Sequence, residues 1–205
     1  MSNHSPDISP FRDPEADSGL DRAFYLPRLP REFYRGSAVV FWTLPVAQRG
    51  KGWLTHEFHA AFREMMLHAA AREGLLCPVY CLMPDHLHLL WLGLHDATDQ
   101  RNAMAFLRTH LKPSLIPHKF QHQPHDHALR EHQRRRGAFS MVCRYVLENP
   151  VRASLAESPE TWPYSGCIVP GYPRLHPAVN PREDFWPVFW KVYTAMRTVP
   201  FPPPS

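Results

Sequence analysis

The feature that most constrains this chain is a pair of apolar runs, Cys77–Met83 and His86–Leu92, separated only by Pro84 and Asp85. Each run has the length of a strand rather than a helix, and Pro-Asp is a turn pair, so the segment predicts a β-hairpin. A two-stranded hairpin is not stable alone, so further strands and a covering layer must come from the rest of the chain. All-helical architectures are thereby excluded. The runs are also far short of the roughly 20 apolar residues that cross a bilayer.

The flanking periods supply the missing parts. Ser37–Leu44 is short, β-branched and aromatic, which predicts a strand. His56–Glu73 carries Phe58, Phe62, Met65, Met66 and Ala69 at helical spacing, with Thr55 as N-cap and Gly74 as the stop. A second helix is expected from Asp99 to Leu111, ended by Lys112-Pro113. The histidine-rich stretch 114–132 reads as irregular, with one short strand near His127–Leu129. A third helix, Phe139–Leu147, is expected to close at Asn149-Pro150, because proline disfavours helix in the residue before it.

This order predicts an α+β fold, a mostly antiparallel sheet with helices packed on one face and the other face open to a ligand. Residues 1–30 read as a flexible N-terminal arm and 31–170 as the domain. Residues 171–205 form an aromatic and proline-rich C-terminal extension, with Asn180, Pro181 and Glu183 patterned as a helix start. Its aromatic stretch, Phe185 to Tyr193, is expected to pack either on the domain or on a partner.

Composition narrows the function classes. Hydrophobic residues at 44% and charged residues at 20% are enough for a packed core and exclude wholesale disorder. The net charge of +4 suits an anionic partner only if it is concentrated on one face, and arginines do cluster between Arg130 and Arg152. The four cysteines include no CxxC pair and read as reduced and buried. The polar, acidic N-terminus lacks a basic-then-apolar leader, so a cytoplasmic protein without a membrane segment is expected.

Two local patterns carry possible chemistry. In Met83-Pro84-Asp85-His86-Leu87-His88-Leu89-Leu90, strand alternation puts His86 and His88 on one face, about 7 Å apart along the strand. Two such imidazoles can chelate a divalent ion, or simply occupy a solvated face. In Arg144-Tyr145-Val146-Leu147-Glu148-Asn149-Pro150-Val151-Arg152, Tyr145 and Asn149 share a helix face one turn apart. Tyrosine is a weak nucleophile at its usual pKa of about 10, and a nearby cation or metal would activate it. Alone, it is more often a half-buried packing residue.

Taken together, these patterns resemble a family. The first is similar to the HUH motif (histidine, bulky hydrophobe, histidine) of single-tyrosine HUH endonucleases. Tyr145 to Ala153, followed by Trp162-Pro163-Tyr164-Ser165, resembles the signature of the REP-associated tyrosine transposases. The resemblance spans about residues 31–170, with both motifs in order. It implies a ferredoxin-like HUH endonuclease fold. It further implies a metal-dependent endonuclease and strand transferase acting on single-stranded DNA beside a hairpin. On that resemblance, Tyr145 is the nucleophile that forms a 5′-phosphotyrosine link and frees a 3′-hydroxyl. His86, His88 and Asn149 would hold Mg²⁺ or Mn²⁺. Relatives function as monomers or as homodimers, and both states stay open.

Two departures stand out. Asp85 occupies a position where many relatives carry asparagine, and it would either orient His86 or shape the turn. Asn149 is a weaker ligand than a carboxylate or imidazole. In a DNA-cutting enzyme, Arg134, Arg135, Arg136, Arg144 and Arg152 become candidate phosphate contacts, and His127 a candidate neighbour of the site or the DNA. Phe41, Trp42 and Trp91 read as core. Histidines 118, 122, 125, 127 and 132 lack the spacing of a zinc site. Three rival readings share parts of this pattern. They are a hairpin-DNA-binding descendant that does not cut, a replication-initiator-like HUH nickase, and a metal-dependent hydrolase unrelated to DNA.

Overall fold

A computed structural model of the chain describes residues 29–179 and 181–199. Most of the N-terminal arm, the Asn180 N-cap position and the last six residues lie outside the described part.

The hairpin forms as the sequence requires. Strand β2 (Leu75–Met83) turns at Pro84-Asp85 into β3 (His86–Gly93), and Met83 pairs with His86 directly. The first strand, β1 (Val39–Pro45), pairs antiparallel with the other side of β3. Helix α1 (His56–Glu73) connects β1 to β2. The Thr55 side chain accepts from the Phe58 amide, and Gly74 ends the helix in the left-handed region at φ 64°. Helix α2 (Gln100–Leu115) leads to the edge strand β4 (His125–Ala128), antiparallel to β1. These elements make the βαββαβ unit of a ferredoxin-like fold. A fifth strand, β5 (Ser165–Ile168), extends it beyond β2, giving the order β4-β1-β3-β2-β5. Sequence periodicity does not reveal β5, which is only four residues long.

Several boundaries move for identifiable reasons. Strand β2 starts at Leu75 rather than Cys77, because a bulge between Leu76 and Val79 accommodates Pro78, which has no N–H to donate. Helix α2 continues past Lys112-Pro113 to Leu115, where Leu111 and Leu115 are buried in the core. A short helix, α3 (Glu131–Arg135), occupies part of the stretch read as irregular. Helix α4 runs from Ala138 to Arg152 and does not close at Asn149-Pro150. The ring of Pro150 sacrifices one backbone bond, while burial of Val146, Asn149 and Pro150 holds the last turn against the sheet.

Alternation along the strands separates two apolar layers. Val40, Trp42 and Leu44 of β1 and Leu87, Leu89 and Trp91 of β3 face α1 and α2. Gln100 pins the start of α2, accepting from Trp42 Nε1 at 3.1 Å and donating to the Ala38 carbonyl at 2.9 Å. Gly93 must be glycine here, since a Cβ would overlap the Gly36 carbonyl oxygen. Phe41, Leu90 and Cys81 face the opposite way. All four cysteines are free and buried.

The antiparallel α+β class with α1 and α2 on one face agrees with the sequence reading, but the opposite face is not left open. Val142, Cys143 and Val146 of α4 pack there together with Phe185 and Phe189 at the start of the C-terminal helix α5 (Trp186–Thr198). Of the two expectations for the aromatic extension, packing on the domain is the one found. Phe139 of α4 lies 5.6 Å from Trp186 and 5.5 Å from Trp190, ring centroid to centroid. The extension is therefore part of the core. Phe189→Ala is expected to cost about 3–5 kcal/mol. That corresponds to a fall of roughly 6–15 °C in the thermal unfolding midpoint. An unchanged midpoint would mean that α5 undocks freely. No helix among the described residues is long and apolar enough to cross a membrane.

Candidate active site

The α4-facing side of the sheet becomes polar at one end. Because β1 and β4 run antiparallel to their neighbours, His125, Thr43, His88 and Cys81 fall in one cross-strand row, with His86 one step beyond. His86 and His88 are not on a solvated face. They are 8% and 2% exposed, and their imidazoles meet at Nε2 to Nε2, 3.0 Å apart.

Each ring is also held at its other nitrogen. His86 Nδ1–H donates to Asp85 Oδ1 at 2.6 Å, and His88 Nδ1 lies 2.9 Å from the Thr43 hydroxyl. Asp85 Oδ2 in turn accepts from Arg49 Nη1 at 3.1 Å. Hydrogen bonding from His86, then the charges of His86 and Arg49, lowers the Asp85 pKa to about 2. Asp85 therefore orients His86 and does more than shape the turn. Arg49 reaches it from a tight turn in which Gln48 and Arg49 both adopt left-handed backbone angles, φ 56° and 50°. Burial, followed by the neighbouring His86, pushes the His88 pKa well below its ordinary value and keeps the ring neutral.

Helix α4 brings the tyrosine to this pair. The Tyr145 ring lies 5.7 Å from the His88 ring and 6.0 Å, edge-on, from Phe41, which itself stacks on His88 at 5.3 Å. Phe41 is a buried packing residue as expected, and it also braces both functional rings. The Arg152 guanidinium sits over the Tyr145 ring, 5.2 Å from its centroid. Asn149 is buried on the sheet-facing side of α4, its Nδ2 donating to the Tyr145 carbonyl at 3.2 Å.

The remaining candidates divide. His127 pairs in register with Phe41 and so borders the site from β4. Arg144 is exposed and paired with Glu148 at 3.4 Å, and Arg135 is paired with Glu131. Arg134 lines a groove with Val39, and Arg136 caps α3. Val39 is six residues along β1 from Pro45, the partner of His86, and four from Thr43, the partner of His88, so the Arg134 groove is about 20 Å along the strand from the first histidine and about 13 Å from the second. The structure thus assembles His86, His88, Tyr145, Arg152 and, on the same helix face as Tyr145, Asn149. It leaves Arg134–Arg136 and Arg144 outside.

Thr43, Phe41, Arg49 and His125 were not readable as site residues, because cross-strand register places the first, second and fourth, and a turn places Arg49. Only the His-x-His alternation and the Tyr–Asn spacing were local.

The donor set fits a divalent ion. The two Nε2 atoms, 3.0 Å apart, could both face one divalent ion. The supported Nδ1 atoms direct both Nε2 atoms inward. Among the described residues, no group of three or more His, Cys, Asp and Glu side chains is placed to hold a metal. Asp85→Asn is expected to weaken Mn²⁺ binding about 10- to 100-fold by titration calorimetry, because His86 loses a charged acceptor. Unchanged affinity would reduce Asp85 to a turn residue.

Comparisons with known proteins bear on this geometry. No family model matches the chain. It is 27% identical over 151 residues to a Haemophilus influenzae protein named "Putative REP-associated tyrosine transposase", covering 66% of this chain and 82% of that protein. A solved REP-associated tyrosine transposase bound to a REP hairpin shares the fold, with a TM-score of 0.57 at 18% identity over 68% of this chain and 82% of that one. The family resembled by the two motifs is thus met again in sequence and in fold.

Proposed function

We propose that this chain, similar to REP-associated tyrosine transposases in sequence and fold, is a metal-dependent endonuclease and strand transferase for single-stranded DNA beside a hairpin. The observation that carries the proposal is the meeting of a supported imidazole pair with Tyr145 at one end of the sheet.

His86 and His88 would hold Mg²⁺ or Mn²⁺, with Asn149 as the third protein ligand, and the bound ion would supply positive charge to a phosphate oxygen for in-line attack. The Thr43 hydroxyl can pair with His88 Nδ1 in either tautomer. Without an ion, that hydroxyl donates to Nδ1, and His88 Nε2–H donates to His86 Nε2. With both Nε2 lone pairs turned to an ion, the proton would reside on His88 Nδ1 and Thr43 would accept its hydrogen bond. A hydroxyl serves both states, which a valine could not.

Tyr145 Oη attacks the phosphorus. The new Oη–P bond replaces the P–O3′ bond, the phenolic proton is lost, and the departing 3′ oxygen gains a proton. The phosphotyrosine keeps the bond energy of the original diester, so a 3′-hydroxyl can later displace Tyr145 and rejoin strands without ATP. Phe41 and Arg152 fix the ring from its edge and face. Within one copy of the chain, α4 brings Tyr145 to the histidine pair, which supports a site completed in cis in a monomer or in each half of a homodimer.

The test is a denaturing gel with labelled hairpin oligonucleotides from repeats flanking the gene, with and without Mg²⁺ or Mn²⁺. Cleavage and a covalent protein–DNA band that both require the metal are expected. Tight binding without cutting under any metal would leave a hairpin-binding protein. Hydrolysis of small phosphoesters that survives Tyr145→Phe would favour the unrelated hydrolase.

A further inference from the structure

We infer a second nucleic-acid contact, resting on the proposed function: a basic cleft between α2 and the 119–122 segment that holds the phosphodiester backbone of the single strand leaving the active site. The cleft, of about 460 Å³, is lined by Arg108, Thr109, Lys112, Lys119, Phe120 and His122, and no Asp or Glu lines it. Its wall is built. The Arg108 guanidinium donates to the carbonyls of Gln121 and His122, fixing that segment against α2. Arg108 is thereby committed to the wall, whereas Lys112 and Lys119 are exposed and form no ion pair among the described residues. Of the arginines singled out by sequence, Arg135 and Arg144 differ, each being neutralised by a glutamate one turn away.

Position ties the cleft to the chemistry. The Gln121 amide donates to the Pro45 carbonyl at 2.8 Å, and the Ala47 amide to the Lys119 carbonyl at 2.7 Å. Pro45 is the register partner of His86. The backbone of the cleft wall is therefore two strand spacings, about 10 Å, from that of His86. Because α2 covers the sheet face opposite the histidine rings, a DNA strand would reach the cleft by rounding the sheet edge at Pro45 and Gln121. A strand lying there exchanges condensed counterions for the two lysines, which positions it without reading sequence.

The experiment uses the full chain and measures fluorescence anisotropy over a salt series. One labelled hairpin carries a single-stranded extension and a second is blunt. Lys112→Gln/Lys119→Gln is expected to weaken the extended hairpin roughly 10- to 100-fold at low salt. It should also reduce the slope of log affinity against log salt by about 1.4, or about 0.7 for each single-strand phosphate released. Blunt-hairpin binding, Mn²⁺ affinity and the unfolding midpoint should not change, and Lys112→Arg/Lys119→Arg should retain the slope. An unchanged slope in the Gln variant, or equal weakening on both DNAs, would overturn the inference. A wild-type protein that binds neither DNA would overturn the proposed function itself, a result distinct from either.

Discussion

Tyr145→Phe is expected to lower hairpin cleavage by at least about 10³-fold and to abolish the covalent protein–DNA band, while hairpin affinity stays within about twofold of wild type. A 10³-fold loss corresponds to about 4 kcal/mol of transition-state stabilisation, the least expected when the attacking atom itself is removed. The substitution deletes one oxygen. The ring keeps its edge contact with Phe41 and its place beneath Arg152, so packing of α4 should be preserved. Single-turnover cleavage read beside anisotropy binding separates the two effects. Loss of binding together with cleavage would show that Tyr145 is a packing or DNA-contact residue.

The second large effect is expected at His88. His88→Ala removes one of two facing donors and leaves the Thr43 hydroxyl and His86 Nε2 without their partner in a buried place. Mn²⁺ affinity should fall below detection by calorimetry, and cleavage should drop to the level measured in EDTA. Because this change also opens a cavity between Phe41 and Tyr145, His88→Gln is the companion variant, keeping most of the volume and hydrogen-bonding capacity. If the Gln variant folds with an unchanged midpoint yet neither binds metal nor cuts, the ligand assignment is supported. Full cleavage in either variant would remove His88 from the metal site.

Local signals made part of this arrangement legible. The His86–His88 alternation, the Pro84-Asp85 turn, and the Thr55 and Gly74 boundaries of α1 all reside in a few adjacent residues, and the structure has each of them. The course of α4 beyond Asn149 was not legible. Proline's local preference was outweighed by burial of Val146 and Pro150 against a sheet whose position no local signal gives. The covered second face was missed for the same reason. Phe185 and Phe189 announce an apolar segment but not what it packs on. At the site, the two histidines and the tyrosine could be named singly. That Thr43 bonds His88 depends on the β1–β3 register, a long-range property with no signature in the chain.

The link between Tyr145 and DNA is tested most directly by locating the covalent bond. Wild-type protein would be incubated with hairpin oligonucleotide and Mn²⁺, the adduct isolated, the DNA trimmed by nuclease, and tryptic peptides read by mass spectrometry. Cleavage after Arg144 and Arg152 releases Tyr145–Arg152, which contains a single tyrosine, so a nucleotide on this peptide identifies the residue unambiguously. The expected result is a phosphodiester-linked nucleotide on Tyr145 and a free 3′-hydroxyl on the other DNA product. Cut DNA with a 5′-phosphate and no adduct, or an adduct on any other residue, would contradict it.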